Sequence, residues 1–136
     1  MAAYRGPVKL AILDWAGTTV DYGCYAPMVV FVEVFRRQGV EISVEEAREP
    51  MGLAKRDHIR AISQIAEVAE RWQRVHSRPC DESDVGRMFE KDFQPLQIEC
   101  IARYAGLIPG TLEAVEALRR QDIRIGTTTG YFTEAA

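Results

Sequence analysis

The stretch "ILDWAGTTVDYG", Ile12 to Gly23, decides the fold, because it ends a buried strand and begins a segment of small and hydroxyl-bearing residues. The run Val8 to Leu13 is short and mostly apolar, which is typical of a strand inside a parallel sheet. Asp14 follows this run. An aspartate at a strand end often caps a turn, but it also serves as a nucleophile or a metal ligand. The run Gly17-Thr18-Thr19 beside it supplies amides and hydroxyls suited to phosphate oxygens.

A second strand is predicted at Ile123 to Thr128, and almost everything between the two strands has a helical pattern. The strands are therefore expected to lie side by side and parallel, joined by a right-handed crossover. Parallel strands end at the same edge of a sheet, where open α/β folds place their sites. Asp14 and the pair Thr128-Thr129 are expected to converge at that edge, with the helical insert over it as a cap.

The predicted architecture is α/β, with a Rossmannoid core of residues 1–21 and 108–136 and a helical cap of residues 22–107. Two parallel strands do not make a stable sheet, and a parallel sheet must be covered on both faces. Only one crossover helix is evident here. We therefore expect the chain to be the front part of a longer protein, or a truncated one.

Proline and polar caps predict the helices of the cap. Pro27 suits the first turn of a helix that is apolar on most faces and therefore buried. Ser43 and Glu46 form a capping-box pattern. One continuous helix is expected through "MGLAKRDHIRAISQIAEVAERW". Pro95 is the expected break in the next helical stretch, and Thr111 is the expected cap of the last helix.

Composition excludes several classes of protein. The chain has 136 residues, of which 47% are apolar and 27% charged, and a net charge of -3, so we expect a globular domain without a nucleic-acid surface. No apolar run approaches the roughly 20 residues of a membrane span, and we expect no secretory signal and no membrane partner. The three widely spaced cysteines, Cys24, Cys80 and Cys100, predict reduced thiols in a cytoplasm, without a disulfide framework or zinc site.

The tracts "DWAGTTVDYG" and "PMGLAKRDHIRA" are each specific, and together they resemble the phosphonoacetaldehyde hydrolases of the haloacid dehalogenase superfamily. The resemblance runs through "CYAPMVVFVEVFRRQGVEISVEEAREPMGLAKRDHIRAI" and resumes at "IPGTLEAVEALRRQDIRIGTTTGY". Most phosphatases of that superfamily carry a second Asp two residues after the nucleophile. The phosphonoacetaldehyde hydrolases carry alanine there, as at Ala16. The resemblance implies a haloacid-dehalogenase-like core and the cleavage of phosphonoacetaldehyde to acetaldehyde and phosphate.

Alanine at this position fits the chemistry of a carbon–phosphorus bond. A phosphate ester releases an oxygen, which an acid must protonate. A phosphonate releases a carbon, which needs an electron sink, and an amine turns an aldehyde into an iminium that serves as one. Ala16 therefore predicts a lysine elsewhere. The resemblance implies that Lys55 forms the iminium and that Asp14 attacks phosphorus.

Pattern alone makes Lys55, beside Arg56 and Asp57, a solvated helix charge. His58 is expected on the same helical face three residues later, and Met51 one turn before. The resemblance also implies a set of residues that line the substrate site: Cys24, Met51, Gly52, His58, Thr128, Thr129, Gly130 and Tyr131. The sequence does not settle whether Thr128 or Thr129 binds the phosphoryl oxygens.

The resemblance further implies Mg²⁺ on the Asp14 carboxylate and the Ala16 carbonyl, and a homodimer formed through the caps. The superfamily's acidic loop and phosphoryl-binding basic residue lie beyond the matched region. One alternative is an ordinary haloacid-dehalogenase phosphatase or phosphomutase, which would need an acid at position 16. Another is a non-catalytic fragment that lacks half of the site.

We predict that residues 1–136 alone show little or no turnover. A phosphonate dianion and Asp14 are both negative, and the cations that would let them approach are not all supplied by this sequence. Losing one such stabiliser costs on the order of a hundredfold in rate. The measurement is acetaldehyde release by purified chain of verified mass with Mg²⁺ present. Turnover close to that of a full-length homologue would contradict the expectation.

Overall fold

The computed structural model describes residues 6–133, which form two compact units. The first comprises residues 6–23 and 105–129, and the second comprises residues 24–104 and 130–133. In chain order the elements are β1 (Leu10–Asp14), α1 (Tyr25–Arg37), α2 (Val44–Arg48), α3 (Lys55–Gln64), α4 (Ala66–His76), α5 (Glu82–Arg87), a π-helical segment (Met88–Phe93), α6 (Gln94–Tyr104), α7 (Thr111–Arg120) and β2 (Arg124–Thr128).

The first unit is built on the parallel pair β1 and β2, as the sequence predicts. Their register runs from Leu10 opposite Arg124 to Asp14 opposite Thr128. Helix α7 packs on β2. Alternate residues of β1 point to opposite faces, and on one face Leu10 and Ile12 are 52% and 64% exposed. Within the described residues, this small sheet therefore has one apolar face in water.

The start of α7 differs from the prediction. Thr111 is not its cap: Gly110 occupies the cap position with a φ of +89°, a conformation that glycine adopts without strain. The Thr111 hydroxyl instead donates to the main-chain oxygen of Thr19 at 3.2 Å, and the amide of Ile108 donates to the same oxygen at 2.9 Å. These bonds tie the loop after β1 to the start of α7.

The second unit has its core around α1. Much of this helix is buried, including Phe31 and Phe35, which are fully inaccessible to solvent. Phe31 packs on Phe93 with a centroid distance of 4.7 Å, and Phe35 meets the edge of Trp72 at 6.5 Å. The buried helix predicted after Pro27 is confirmed, and its apolar residues serve the core of this unit.

The predicted continuous helix from Met51 to Trp72 is wrong at two places. Residues 51–54 form a turn, in which Gly52 has a φ of +103° that a side-chain-bearing residue rarely adopts. Helix α3 then ends at Gln64, and Ile65, with an extended ψ of 129°, separates it from α4. The apolar spacing hides this second break, because Ile62 and Val68, on either side of it, both reach the same core.

Pro95 does not break the helical stretch either. It is the second residue of α6, directly after the π-helical segment. A proline ring clashes with the carbonyl four residues earlier in an ordinary α-helix. The turn before Pro95 is π-helical: the Gln94 amide donates to the Phe89 oxygen five residues earlier, and the chain continues into α6. Among the described residues, no helix has the length and apolarity to cross a membrane.

We predict that Ser43→Ala lowers the free energy of unfolding by about 1 kcal/mol, the usual cost of losing an N-cap. The predicted capping box is present: the Glu46 amide donates to the Ser43 hydroxyl at 3.1 Å, and the Ser43 amide donates to the Glu46 carboxylate at 2.7 Å. Urea denaturation measures the loss.

Ser83→Ala is the matched control. Ser83 is likewise an exposed serine near the start of a helix, but there Asp81 provides the cap. A change within about 0.5 kcal/mol is expected for this variant. Equal losses in the two variants would show that the Ser43 cap contributes nothing specific.

Candidate active site

Asp14 stands at the end of β1, exposed to solvent and opposite Thr128, the last residue of β2. The Thr19 hydroxyl donates to the Asp14 main-chain oxygen at 2.9 Å, so the loop closes back on the strand end. The structure thus places Asp14 and Thr128 at one edge of the parallel pair. Thr129 lies one residue beyond β2 and is half-buried.

The amides of the loop after Asp14 donate to carbonyl oxygens of the same loop. The Gly17 amide donates to the Val20 oxygen at 2.8 Å, and the amides of Thr18 and Thr19 donate to the Trp15 oxygen at 3.1 and 2.9 Å. The sequence suggests the amides and hydroxyls of this run as phosphate donors, which stays a prediction. In the structure the three amides bond within the turn. Gly17, with a φ of +81°, permits the tight turn that makes these bonds.

Two groups at this strand end suit Mg²⁺ chemically: the exposed carboxylate of Asp14 and the main-chain carbonyl of Ala16 in the loop after it. Both are hard oxygen donors, the kind that Mg²⁺ prefers. Within residues 6–133 no group of three or more histidine, cysteine or acidic side chains is positioned for a metal. The donor set fits a magnesium ion that keeps most of its other positions for water or substrate oxygens.

In the second unit, Lys55 is the first residue of α3 and is half-buried. Its ammonium nitrogen lies 5.8 Å from the centroid of the Tyr131 ring, within the range of a cation–π interaction. The N-terminus of a helix carries partial positive charge, which is unfavourable for an ammonium. Lys55 therefore combines partial burial, a helix terminus and an aromatic neighbour, which distinguishes it from a solvated surface lysine.

His58 follows one turn later and is completely buried. Its ring stacks on Phe31 at 3.9 Å, and its Nε2 lies 2.9 Å from the main-chain oxygen of Ala47. Because a carbonyl only accepts, Nε2 carries the proton and Nδ1 is left with its lone pair. Burial lowers the pKa of His58, and the positive charge of Lys55 acts in the same direction. The imidazole is thus held neutral in one tautomer.

The remaining predicted residues lie in turns and caps. Met51, 37% exposed, lies in the turn before α3, so it does not share a helical face with Lys55 as predicted. Gly52, in the same turn, has a positive φ, which a continuous helix from Met51 to Lys55 would not contain. Cys24 caps α1 in a left-handed conformation and is half-buried. Gly130 is exposed, and the adjacent Tyr131 is half-buried.

A cavity of about 760 Å³ lies between α3, α4 and α5, and none of the described residues that line it belongs to the predicted site. Arg60 borders it and is held by Glu82 and Asp57. Cys80 also borders it, and burial raises the pKa of this thiol to about 11. The thiol is therefore protonated at neutral pH and a poor nucleophile.

Curated proteins that resemble this chain carry the name phosphonoacetaldehyde hydrolase. A "phosphonoacetaldehyde hydrolase-like protein" of Syntrophobacter fumaroxidans is 56% identical over 131 residues, which are 96% of this chain and 47% of the relative. A phosphonoacetaldehyde hydrolase of Bacillus cereus is 46% identical over 127 residues, 93% of this chain and 48% of the relative. The chain is a homologue of phosphonoacetaldehyde hydrolases. No protein-family model matches it.

A solved structure agrees with this relationship. The crystal structure of a phosphonoacetaldehyde hydrolase-like protein from Oleispira antarctica matches with a TM-score of 0.91 and 38% identity, over 99% of this chain and 50% of that one. The predicted fold class, α/β with a haloacid-dehalogenase-like core and a helical insert, is confirmed. The chain spans about half the length of the curated relatives it matches.

Sequence reasoning missed the groups that hold the site residues. Phe31 and the Ala47 carbonyl enclose His58, and the Thr19 hydroxyl braces the Asp14 backbone. The predicted capping box places Ala47 in α2, but it does not indicate that the Ala47 carbonyl accepts from His58. The contact between Phe31 and His58 joins residues 27 apart in sequence and leaves no local pattern.

We predict that His58 makes stability depend on pH below its ordinary pKa of 6.5. Its folded-state pKa is lowered, so its contribution is complete above pH 6.5 and is lost as pH falls toward the lowered value. One proton accounts for at most about 1.4 kcal/mol per pH unit. The free energy of unfolding should therefore fall more between about pH 7.5 and 5.5 than it does in His58→Phe.

Urea denaturation of both proteins at the two pH values checks this prediction. The two proteins differ only at position 58, so the difference between their pH profiles isolates this residue. Parallel pH profiles would show that His58 is not held neutral. A long-range ¹⁵N spectrum provides an independent reading, in which the proton should be found on Nε2.

Proposed function

We propose that the protein to which these residues belong hydrolyses phosphonoacetaldehyde to acetaldehyde and phosphate. The observation that carries the proposal is the combination of Ala16 and Lys55: no acid stands where a phosphatase of this superfamily needs one, and a half-buried lysine is present. The names of the relatives support the same activity.

The reaction begins at Lys55. Its neutral amine adds to the aldehyde carbon, and water leaves to give an iminium. The Asp14 carboxylate then attacks phosphorus, and the electrons of the carbon–phosphorus bond move into the iminium to form an enamine. The enamine takes up a proton, and water releases acetaldehyde and restores the amine. A second water hydrolyses the aspartyl phosphate. The sum is one phosphonate and one water converted to one aldehyde and one phosphate.

The surroundings of Lys55 support its role. Lys55 is half-buried at the positive end of α3, where a positive charge is unfavourable. In the first unit the Asp14 side chain is exposed at the strand end and its backbone is fixed by Thr19. Mg²⁺, held by the Asp14 carboxylate and the Ala16 carbonyl, would offset the negative charge of the phosphonate.

A cytoplasmic homodimer, paired through the helical unit, belongs to the same proposal. It is supported by three cysteines that form no disulfide among the described residues and by exposed apolar side chains on that unit, such as Val44 and Ile98, at 42% and 47%.

An ordinary phosphatase of the superfamily is disfavoured because Ala16 cannot protonate a leaving oxygen. The open apolar face of β1 favours a second candidate for the 136 residues taken alone, a catalytically incompetent fragment.

We predict that acetaldehyde and borohydride together attach an ethyl group to Lys55. The chain has three lysines, Lys9, Lys55 and Lys91, so peptide mass mapping assigns the site without ambiguity. Lys9 and Lys91 serve as internal controls, and Lys55→Arg should abolish the adduct. Labelling of the three lysines to equal extents, or none of Lys55, would overturn the iminium mechanism.

A further inference from the structure

Residues 130–133 belong to the helical unit and carry two adjacent aromatic side chains. Tyr131 lies over the ammonium of Lys55. Phe132 meets Phe89 edge to face, with a centroid distance of 6.5 Å and an interplanar angle of 83°. Phe132 is half-buried and packs against the core of the unit. Two neighbouring rings therefore connect this short segment to two separate helical elements.

The Phe89 ring is the first of a series of contacting aromatic rings. It stacks on Phe93 at 6.1 Å, Phe93 packs on Phe31 at 4.7 Å, and Phe31 stacks on His58 at 3.9 Å. Phe93, Phe31 and His58 are fully buried. Aromatic pairs in these geometries contribute about 0.5–1.5 kcal/mol each beyond area burial. Phe132 thus rests on a rigid support that ends one turn from Lys55.

Gly130 explains why Tyr131 needs such an anchor. It precedes Tyr131 directly and is exposed, and within residues 6–133 no neighbouring atom lies within 4 Å of where a Cβ would stand. It therefore contributes no side-chain packing, and glycine leaves the backbone free to take many conformations. Of the residues flanking Tyr131, Phe132 is the one that packs against the core.

We propose that Phe132 is a positioning residue: by packing on Phe89, it holds the Tyr131 ring over the Lys55 ammonium. The ring and the ammonium attract each other only while the ring stays within about 6 Å. Loss of the Phe132 contact frees the segment after Gly130, and the ring then leaves Lys55 for much of the time. The consequence for catalysis rests on the proposed function, but the positioning itself does not.

The experiment reads the ring directly. Protons above an aromatic face resonate upfield, so lysine-selective ¹³C labelling should show the methylene next to Nζ of Lys55 shifted from those of Lys9 and Lys91. Lys55→Arg assigns the signal. Tyr131→Leu should remove the upfield shift. Phe132→Ala should move the signal most of the way to its position in Tyr131→Leu.

Two variants serve as controls. Phe132→Tyr keeps the ring and should retain the upfield shift, which a merely disruptive substitution would not. Ile98→Ala should also retain it, because Ile98 lines the same cavity of about 350 Å³ as Phe132 but carries no aromatic ring. Urea denaturation of each variant reports whether the fold is intact.

An unchanged Lys55 signal in Phe132→Ala would overturn the proposal, as would an unchanged signal in Tyr131→Leu. The borohydride experiment separates this result from the proposed function. If Lys55 is not trapped but its signal follows the ring as expected, the iminium mechanism fails and the positioning role stands. If Lys55 is trapped in the Tyr131 and Phe132 variants and its signal ignores Phe132, the reverse holds.

Discussion

A completely buried imidazole needs a hydrogen-bond partner, and in the helical unit the Ala47 carbonyl meets that need for His58. The requirement ties three elements together, since α3 carries the histidine, α2 the carbonyl, and α1 the Phe31 ring that stacks on it. Lys55 begins the same helix one turn earlier. The direction of that helix, and so the place of the lysine, depends on one polar group being satisfied inside an apolar core.

The strand unit obeys a different constraint. Two parallel strands share few hydrogen bonds, and here the loop after β1 adds to them: the Thr19 oxygen accepts from Ile108 and from Thr111. The same loop returns its hydroxyl to the Asp14 backbone. The amides of Gly17, Thr18 and Thr19 bond within this turn. This loop therefore fixes the backbone of Asp14, whose side chain is exposed at the strand end.

Local signals in the sequence predicted local features well. The parallel pair followed from its apolar runs, and the capping box of Ser43 and Glu46 from a spacing of three residues. Features that depend on packing were missed. The break at Ile65 is hidden because both flanking helices face one core, and the environment of His58 depends on contacts distant in sequence. Candidate site residues could be named from motifs, but their supports could not.

The π-helical segment also determines how the helices on either side of it are rotated relative to each other. A π-turn is equivalent to one extra residue in an α-helix. Removing one residue from Met88–Phe93 would return the segment to α-helical spacing and turn α6 by about 100° about its axis, since a helix has 3.6 residues per turn. Gln97, now fully buried, would leave its place in the core. Substitutions in this segment alter contacts one at a time, whereas a deletion would change which face of α6 the core receives.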